Sequence, residues 1–211
     1  MKKLIIILLA GLLTGNLLAQ VNMGVKLGLN SSNFIAYDGE YLGGATVNLE
    51  ETTMRMGFQT GVFMVIQLGP FFQLKPELVY TQKGSTVKIF GSSNDSYDAT
   101  LAYDYIEIPV YCGWNLGQSR FYIHTGPSIS ILINAEHRID PNPYGWQDID
   151  MKDESNPIDI GLNVALSYKI TDHFFVESSI GHGVIRINDS LDEGEPSIIN
   201  SIFSFSSRYQ F

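Results

Sequence analysis

Tyr103–Ile133 reads YDYIEIPVYCGWNL, then GQSR, then FYIHTGPSISILI, and the fold follows from it. From Ile106 to Leu116, apolar side chains stand at every second position: Ile106, Ile108, Val110, Cys112, Trp114 and Leu116. Glu107, Pro109, Tyr111, Gly113 and Asn115 lie between them. After a short polar break the pattern resumes with Phe121, Ile123, Pro127, Ile129, Ile131 and Ile133, against Tyr122, His124, Gly126, Ser128, Ser130 and Asn134. A period of two is a strand, because successive Cβ atoms point to opposite faces. Two such runs across a tight break make a hairpin. Each run is roughly 10 residues or more, whereas soluble strands average about 5–6 and membrane-spanning strands need about 9–11.

The same alternation recurs along the chain. Gly24–Phe34, Arg55–Leu68, Phe71–Val87, Ile158–Ile170, Phe174–Ile187 and Ile198–Phe211 complete a set of eight strands. A bulge is expected near Gly181-His182-Gly183. Long polar loops are expected at Ile35–Met54, Lys88–Ala102, Ala135–Asn156 and Asn188–Pro196. Tight turns are expected at Gly69-Pro70, after Leu116, and at Thr171-Asp172. Long and short connections alternate, as in transmembrane barrels with long extracellular loops and short periplasmic turns. The expected fold is therefore all-β, an eight-stranded antiparallel up-and-down transmembrane β-barrel.

Met1–Ala19 reads as a cleaved signal peptide. Lys2 and Lys3 precede the apolar run Leu4–Leu13, and Leu17-Leu18-Ala19 offers a cleavage site. Residues 20–211 then form one barrel domain of an exported protein placed in the outer membrane. The formal net charge is −9, and losing Lys2 and Lys3 makes it −11. That charge argues against nucleic acid as a partner. The single cysteine, Cys112, excludes an internal disulfide.

Alternation alone does not say which face is outside; a soluble barrel would hide its apolar face. Here the polar face is rich in Gly, Ser, Asn and Thr and poor in the charges of a solvated surface. The apolar face carries Phe58, Phe72, Tyr80, Trp114, Phe121, Tyr168, Phe174, Tyr209 and Phe211 near strand ends, like the aromatic girdles of membrane barrels. With the apolar face in lipid, the lumen should hold Lys26, Arg55, Lys75, Glu77, Glu107, His124, Lys169, Glu177 and Arg208. Buried charges must pair, so an ion-pair network filling a closed lumen is expected, with Lys83 or Lys75 as the partner of Glu107.

Catalysis is not expected. The only Ser/Asp–His neighbours are His137 with Asp140 and His182 with Ser178 and Ser179, and neither sits in a nucleophile motif. His173 falls on a turn. The acidic runs Asp148, Asp150, Asp153, Glu154 and Asp189, Asp192, Glu193, Glu195 lack EF-hand spacing. They read as solvated loops able to bridge lipopolysaccharide through divalent ions. No cofactor or metal site is expected. Tyr97, Tyr144 and Trp146 are the loop aromatics best suited to contact a protein partner.

The stretches GVKLGLNSSNF, GFQTGVFMVIQLGPFFQLKPELVYTQKG, YDYIEIPVYCGW and FYIHTGPSISIL together resemble the PorT-like outer-membrane β-barrel family of Bacteroidetes. The last strand, with Phe203, Phe205, Tyr209 and Phe211, is similar to the signal read by the barrel-assembly machinery. The resemblance implies a barrel in outer-membrane lipid and lipopolysaccharide. The resemblance speaks to architecture; the residues themselves read as a structural or surface-interaction role, with a secretion or surface assembly, a narrow channel or a loop-based membrane enzyme as alternatives.

Overall fold

The computed structural model describes residues 21–37, 46–90, 96–117, 119–142, 145–185 and 197–211. Its strands are β1 Val21–Tyr37, β2 Thr46–Gln67, β3 Phe72–Phe90, β4 Ser96–Asn115, β5 Phe121–Asn142, β6 Gly145–Asp150, β7 Ile158–Lys169, β8 Phe174–Gly183 and β9 Ser197–Gln210. All pairings are antiparallel. β1 to β5 pair in sequence order, β5 continues to β7, β8 and β9, and β9 returns to β1, so eight strands close into a ring. β6 lies outside the ring, paired only to the upper part of β5.

The outer face is the apolar face. Leu27, Leu162, Val164 and Ile180 are 56–64 % exposed, while Lys75, His124 and Ser167 on the inner face are fully buried. This inversion of the soluble pattern identifies lipid as the outer solvent. Phe121 to Ile131 is ten residue steps, which on a strand tilted ~40° rises roughly 25 Å. The short-turn rim carries exposed Phe71, Trp114, Phe121, Tyr168, Tyr209 and Phe211, with Phe72 on Trp114 and Phe121 on Tyr168 at ring-centroid distances of 5.6 and 4.9 Å. Across the band, Phe58 packs on Tyr80 at 5.4 Å. The turns close as expected: Leu68 N–H donates to Phe72 O, Leu116 N–H to Phe121 O, and Ile170 N–H to Phe174 O.

Three expectations are corrected. First, the connections are more strand than loop. β2 begins at Thr46, β3 runs to Phe90, β4 starts at Ser96, and β5 extends to Asn142 before folding back as β6. These segments lie above the lipid band, where water on one side removes the demand for an unbroken apolar outer face. Second, β8 ends at Gly183 rather than Ile187, and it pairs with β7 without a register shift. Gly181 serves close packing rather than a bulge, because a Cβ there would strike Asn163 Oδ1 and Ile202. The shifts lie elsewhere, in β2 against β3 and at Asp104/Tyr105. Gly84, at φ +148°, lies on β3 beside the first of these, where a Cβ would strike the Leu101 carbonyl of β4. Third, Asn134 does not face the lumen. The Asp104/Tyr105 shift makes Leu132 and Ala135 the buried neighbours, and Asn134 instead donates to Glu136 Oε1 at 3.1 Å.

Candidate functional site

The inward residues of the lipid-level strands build two ion clusters on the barrel axis. The lower contains Lys26 of β1, Lys75 and Glu77 of β3, Glu177 of β8 and Arg208 of β9. Lys26 Nζ lies 3.0 Å from Glu77 Oε2 and 2.9 Å from Glu177 Oε1. Lys75 Nζ lies 2.9 Å from Glu77 Oε1 and 2.6 Å from Glu177 Oε2. Arg208 reaches the same Glu177 oxygen at 2.6 Å, and Ser167 Oγ donates to it at 2.7 Å. The guanidinium is held between Phe63 and Phe175, at 4.6 and 5.2 Å from the ring centres, and Lys75 sits 4.6 Å over the Tyr111 ring. Beside this cluster, His124 meets Gln73 through Nε2 at 2.8 Å and Ser167 through Nδ1 at 3.3 Å.

The upper cluster is Lys83 of β3 with Glu107 of β4 and Asp159 of β7, at 3.2 and 3.4 Å. Asn163 donates to Glu107 at 3.4 Å and Asn200 to Asp159 at 2.8 Å. Of the two partners open to Glu107, Lys83 is therefore the one used. Three cations face two anions below, and one cation faces two anions above, so the eight charges cancel over the lumen. Single carboxylates bridging several ammonium groups hold strands far apart in sequence at fixed heights; Glu177 alone ties β1, β3 and β9 to β8. Between the clusters lies a gap of about 20 Å³, roughly one water, lined by Lys26, Glu77, Glu107, Tyr111 and Asn163.

Seven of the nine expected lumen charges are buried inside. Lys169 is not: it sits at the short-turn rim, a third exposed, 2.8 Å from Asp172. Arg55 stands at the upper end, half-buried, donating to the Lys83 carbonyl at 2.7 Å. Lys83 and Asp159 belong in the set. Their polar-face parity was visible in the sequence.

Above Lys83 the lumen becomes apolar. Phe34, Val87, Ala99, Leu101, Tyr103, Tyr105, Leu132 and Ala135 form a buried cluster against which Met151 packs. The chain after β6 crosses here and is pinned by Met151 N–H to Ala135 O and Leu132 N–H to Pro157 O. Tyr103 stands edge-on to Phe34 at 5.5 Å and meets His137 Nε2 through its hydroxyl at 3.1 Å. The cluster is buried inside the barrel above the ion pairs. Sequence reasoning missed it, although β4 carries the signal. Its outer positions change from Asp98, Thr100, Ala102 and Asp104 to Ile106, Ile108 and Val110. Its inner ones change from Ala99, Leu101, Tyr103 and Tyr105 to Glu107. The polarity flips where lipid gives way to water.

His137 lies above the lipid band, and burial pushes its imidazole down to about 4. The folded state therefore binds fewer protons than the unfolded state between about pH 6.5 and 4, so stability falls as pH falls through that window. The protection factors of the Leu101, Tyr103 and Ala135 amides, taken relative to the intrinsic exchange rate at each pH, are expected to fall between pH 7 and 5, and His137→Phe should flatten that dependence while the lower barrel stays protected.

The catalytic pairings do not assemble. His182 and Ser178 share the outer face, four residues or roughly 13 Å apart, while Ser179 lies on the other face. His137 is spent on Tyr103, and the Asp140 side chain lies outside the described residues. His173 stacks on Tyr209, with Nδ1 2.9 Å from Gln210 O. Among the acidic positions, Asp150 accepts from Lys152 N–H at 3.0 Å and Asp153 is exposed. The side chains of Asp148, Glu154 and residues 189–195 lie outside the described residues, as do those of Tyr97, Tyr144 and Trp146. Among the described residues no group of three His, Cys, Asp or Glu is placed to hold a metal.

Among solved structures the chain is similar to Ail, the attachment invasion locus protein of Yersinia pestis. That match has 8 % identity and a TM-score of 0.50, over 90 % of this chain and 98 % of that one. Neisserial surface protein A matches at 16 % identity and 0.48, over 90 % and 97 %. OprG of Pseudomonas aeruginosa matches at 9 % and 0.47, over 92 % and 97 %. At these identities the likeness to Ail is one of fold. No curated protein sequence matches the chain. The family model for the outer membrane protein beta-barrel domain matches residues 16–189, most of the chain, and the chain belongs to that family.

Proposed function

We propose that this protein is a closed, non-catalytic barrel that acts through its extracellular end. In this reading the lipid-level barrel is an anchor, and β3 to β6 project from it as a platform for a protein partner. The observation that carries the reading is the doubly filled lumen: two ion clusters, capped by the Phe34–Tyr103–Leu132 cluster. A barrel built to conduct would leave a wet path between charged walls, and eight strands are only just wide enough for their own side chains. Met1–Ala19 is the export signal removed on the way, and the barrel-assembly machinery reads β9. The lipid partners are outer-membrane lipid and lipopolysaccharide, whose phosphates the acidic loops bridge through divalent cations. Membership of a secretion or surface assembly is the alternative setting, and co-purification of a stable partner from membranes in mild detergent tests it.

Two outcomes are expected. Protease added to whole cells should cut only within Ile35–Met54, Lys88–Ala102, Ala135–Asn156 or Asn188–Pro196, and not at Gly69-Pro70 or Thr171-Asp172; cuts at those turns would invert the topology. In planar bilayers, wild type and Glu107→Gln should both show no steady conductance. The substitution should cost only about 1.5–3 kcal/mol, because Lys83 keeps Asp159 as a counter-charge. A steady conductance altered by Glu107→Gln would replace the closed barrel with a channel.

A further inference from the structure

Below the lower ion cluster the lumen opens into a vestibule of about 210 Å³. It is lined by Gln67, Gln73, Asn115, Tyr122, Arg208 and Gln210, among others, and reaches the rim beside Lys169 and Asp172. We propose that this vestibule binds a small organic anion through one carboxylate. This goes beyond the extracellular role, and under the proposed orientation it puts a ligand site on the periplasmic side.

Three observations carry it. The first is the direction of the internal field. The lower cluster holds one positive charge in excess and the upper cluster one negative, so the pair forms an axial dipole whose positive end faces the vestibule. An anion there sits next to Arg208 and far from Glu107. The second is unmet bonding capacity. Arg208 is only 2 % exposed and lines the vestibule. One guanidinium nitrogen is committed to Glu177 and Ser167, but its buried Nε–H, a donor, has no partner. A buried donor without a partner carries a cost that an acceptor bound in the vestibule would relieve. The third is the sorting of charge. Five basic residues, Lys26, Lys75, Arg120, Lys169 and Arg208, and three acidic ones, Glu77, Asp172 and Glu177, belong to the short-turn half. The other nineteen acidic residues of this net −9 chain belong to the upper half or the long connections. Asp172 is itself engaged by Lys169, whose hydrogen bond holds that carboxyl below its ordinary range.

Amides from Gln67, Gln73, Asn115 and Gln210, with the Tyr122 and Phe175 rings, surround the cationic end. This lining suits a carboxylate on a short polar body, either a free organic acid or the C-terminal end of a peptide.

The test is an NMR titration of the refolded full barrel in zwitterionic micelles at low salt, with N-acetylglycine against its neutral amide, N-acetylglycinamide. The acid should shift the Gln73, Asn115 and Gln210 resonances saturably, and the amide should bind at least tenfold more weakly. N-acetyl-tetraglycine as a third probe separates the sources: tighter binding than N-acetylglycine assigns the site to a peptide end, and weaker binding assigns it to a free acid. Asn115→Asp adds a negative charge at the vestibule and leaves the ion clusters intact, so it should weaken the acid at least tenfold while the barrel stays folded. Equal binding of acid and amide, no saturable shift with either, or an unchanged affinity in Asn115→Asp would each overturn the proposal.

Discussion

Glu177→Gln is expected to lower barrel stability by about 3–5 kcal/mol, the largest effect of any single polar substitution in the molecule. One Glu177 oxygen lies 2.9 Å from Lys26 and the other 2.6 Å from both Lys75 and Arg208, and the side chain has no exposure to solvent. The amide leaves three buried cations facing Glu77 alone. Little water can solvate the freed cations: the gap above is only about 20 Å³, and the vestibule below meets the cluster at Arg208, which is 2 % exposed. The expected readout is a lower urea midpoint in phospholipid vesicles at unchanged slope, with earlier loss of the compact band on unboiled gels. The double variant Lys75→Met with Glu177→Gln restores the wild-type charge excess and should recover part of the loss. A single-variant loss under 1 kcal/mol would show that the cluster is wet and the lumen not sealed.

Val164→Arg is expected to cost about 2–4 kcal/mol, the range for a cation on the lipid face near the bilayer middle. Val164 is 56 % exposed and pairs with Thr125 on β5 and Ile180 on β8, midway up the band. Its neighbour Asn163 is buried and donates to Glu107 at 3.4 Å. Asn163→Val should be milder, since it removes one long hydrogen bond and fills a similar volume. Folding yield into vesicles and the urea midpoint compare the two. Equal tolerance at both positions would mean that the outer face does not meet lipid.

The measurements on Glu177 and Glu107 also separate two roles for buried charge. Glu177 bridges three strands to a fourth, so its loss is structural throughout. Glu107 shares Lys83 with Asp159 and touches the inter-cluster gap, so its loss tests whether that gap carries ions at little cost to folding.

The sequence by itself determined the architecture. Eight alternating runs, tight turns at 69–70 and 171–172, and aromatic side chains at strand ends leave one arrangement in which every backbone group in lipid is paired, a closed barrel. The period of two also named the inward residues, because parity is conserved along a strand until a bulge breaks it. That is why Lys26, Lys75, Glu77, Glu177 and Arg208 could be placed in one lumen from residues far apart in the chain. Only the tertiary structure decided which charges meet. Register sets the height of each side chain, and a shift such as that at Asp104/Tyr105 moves it by a residue with no mark in composition; so Lys83 rather than Lys75 serves Glu107, and Asn134 faces outward. The structure also decided how far the strands run above the lipid and that an apolar cluster caps them. There, water replaces lipid outside, the alternation reverses sign, and a rule set for one solvent reads those residues as loop. Finally, Arg208 has its charge met by Glu177 and its Nε–H left open, a distinction that rests on side-chain geometry inside a closed ring and that no linear pattern records.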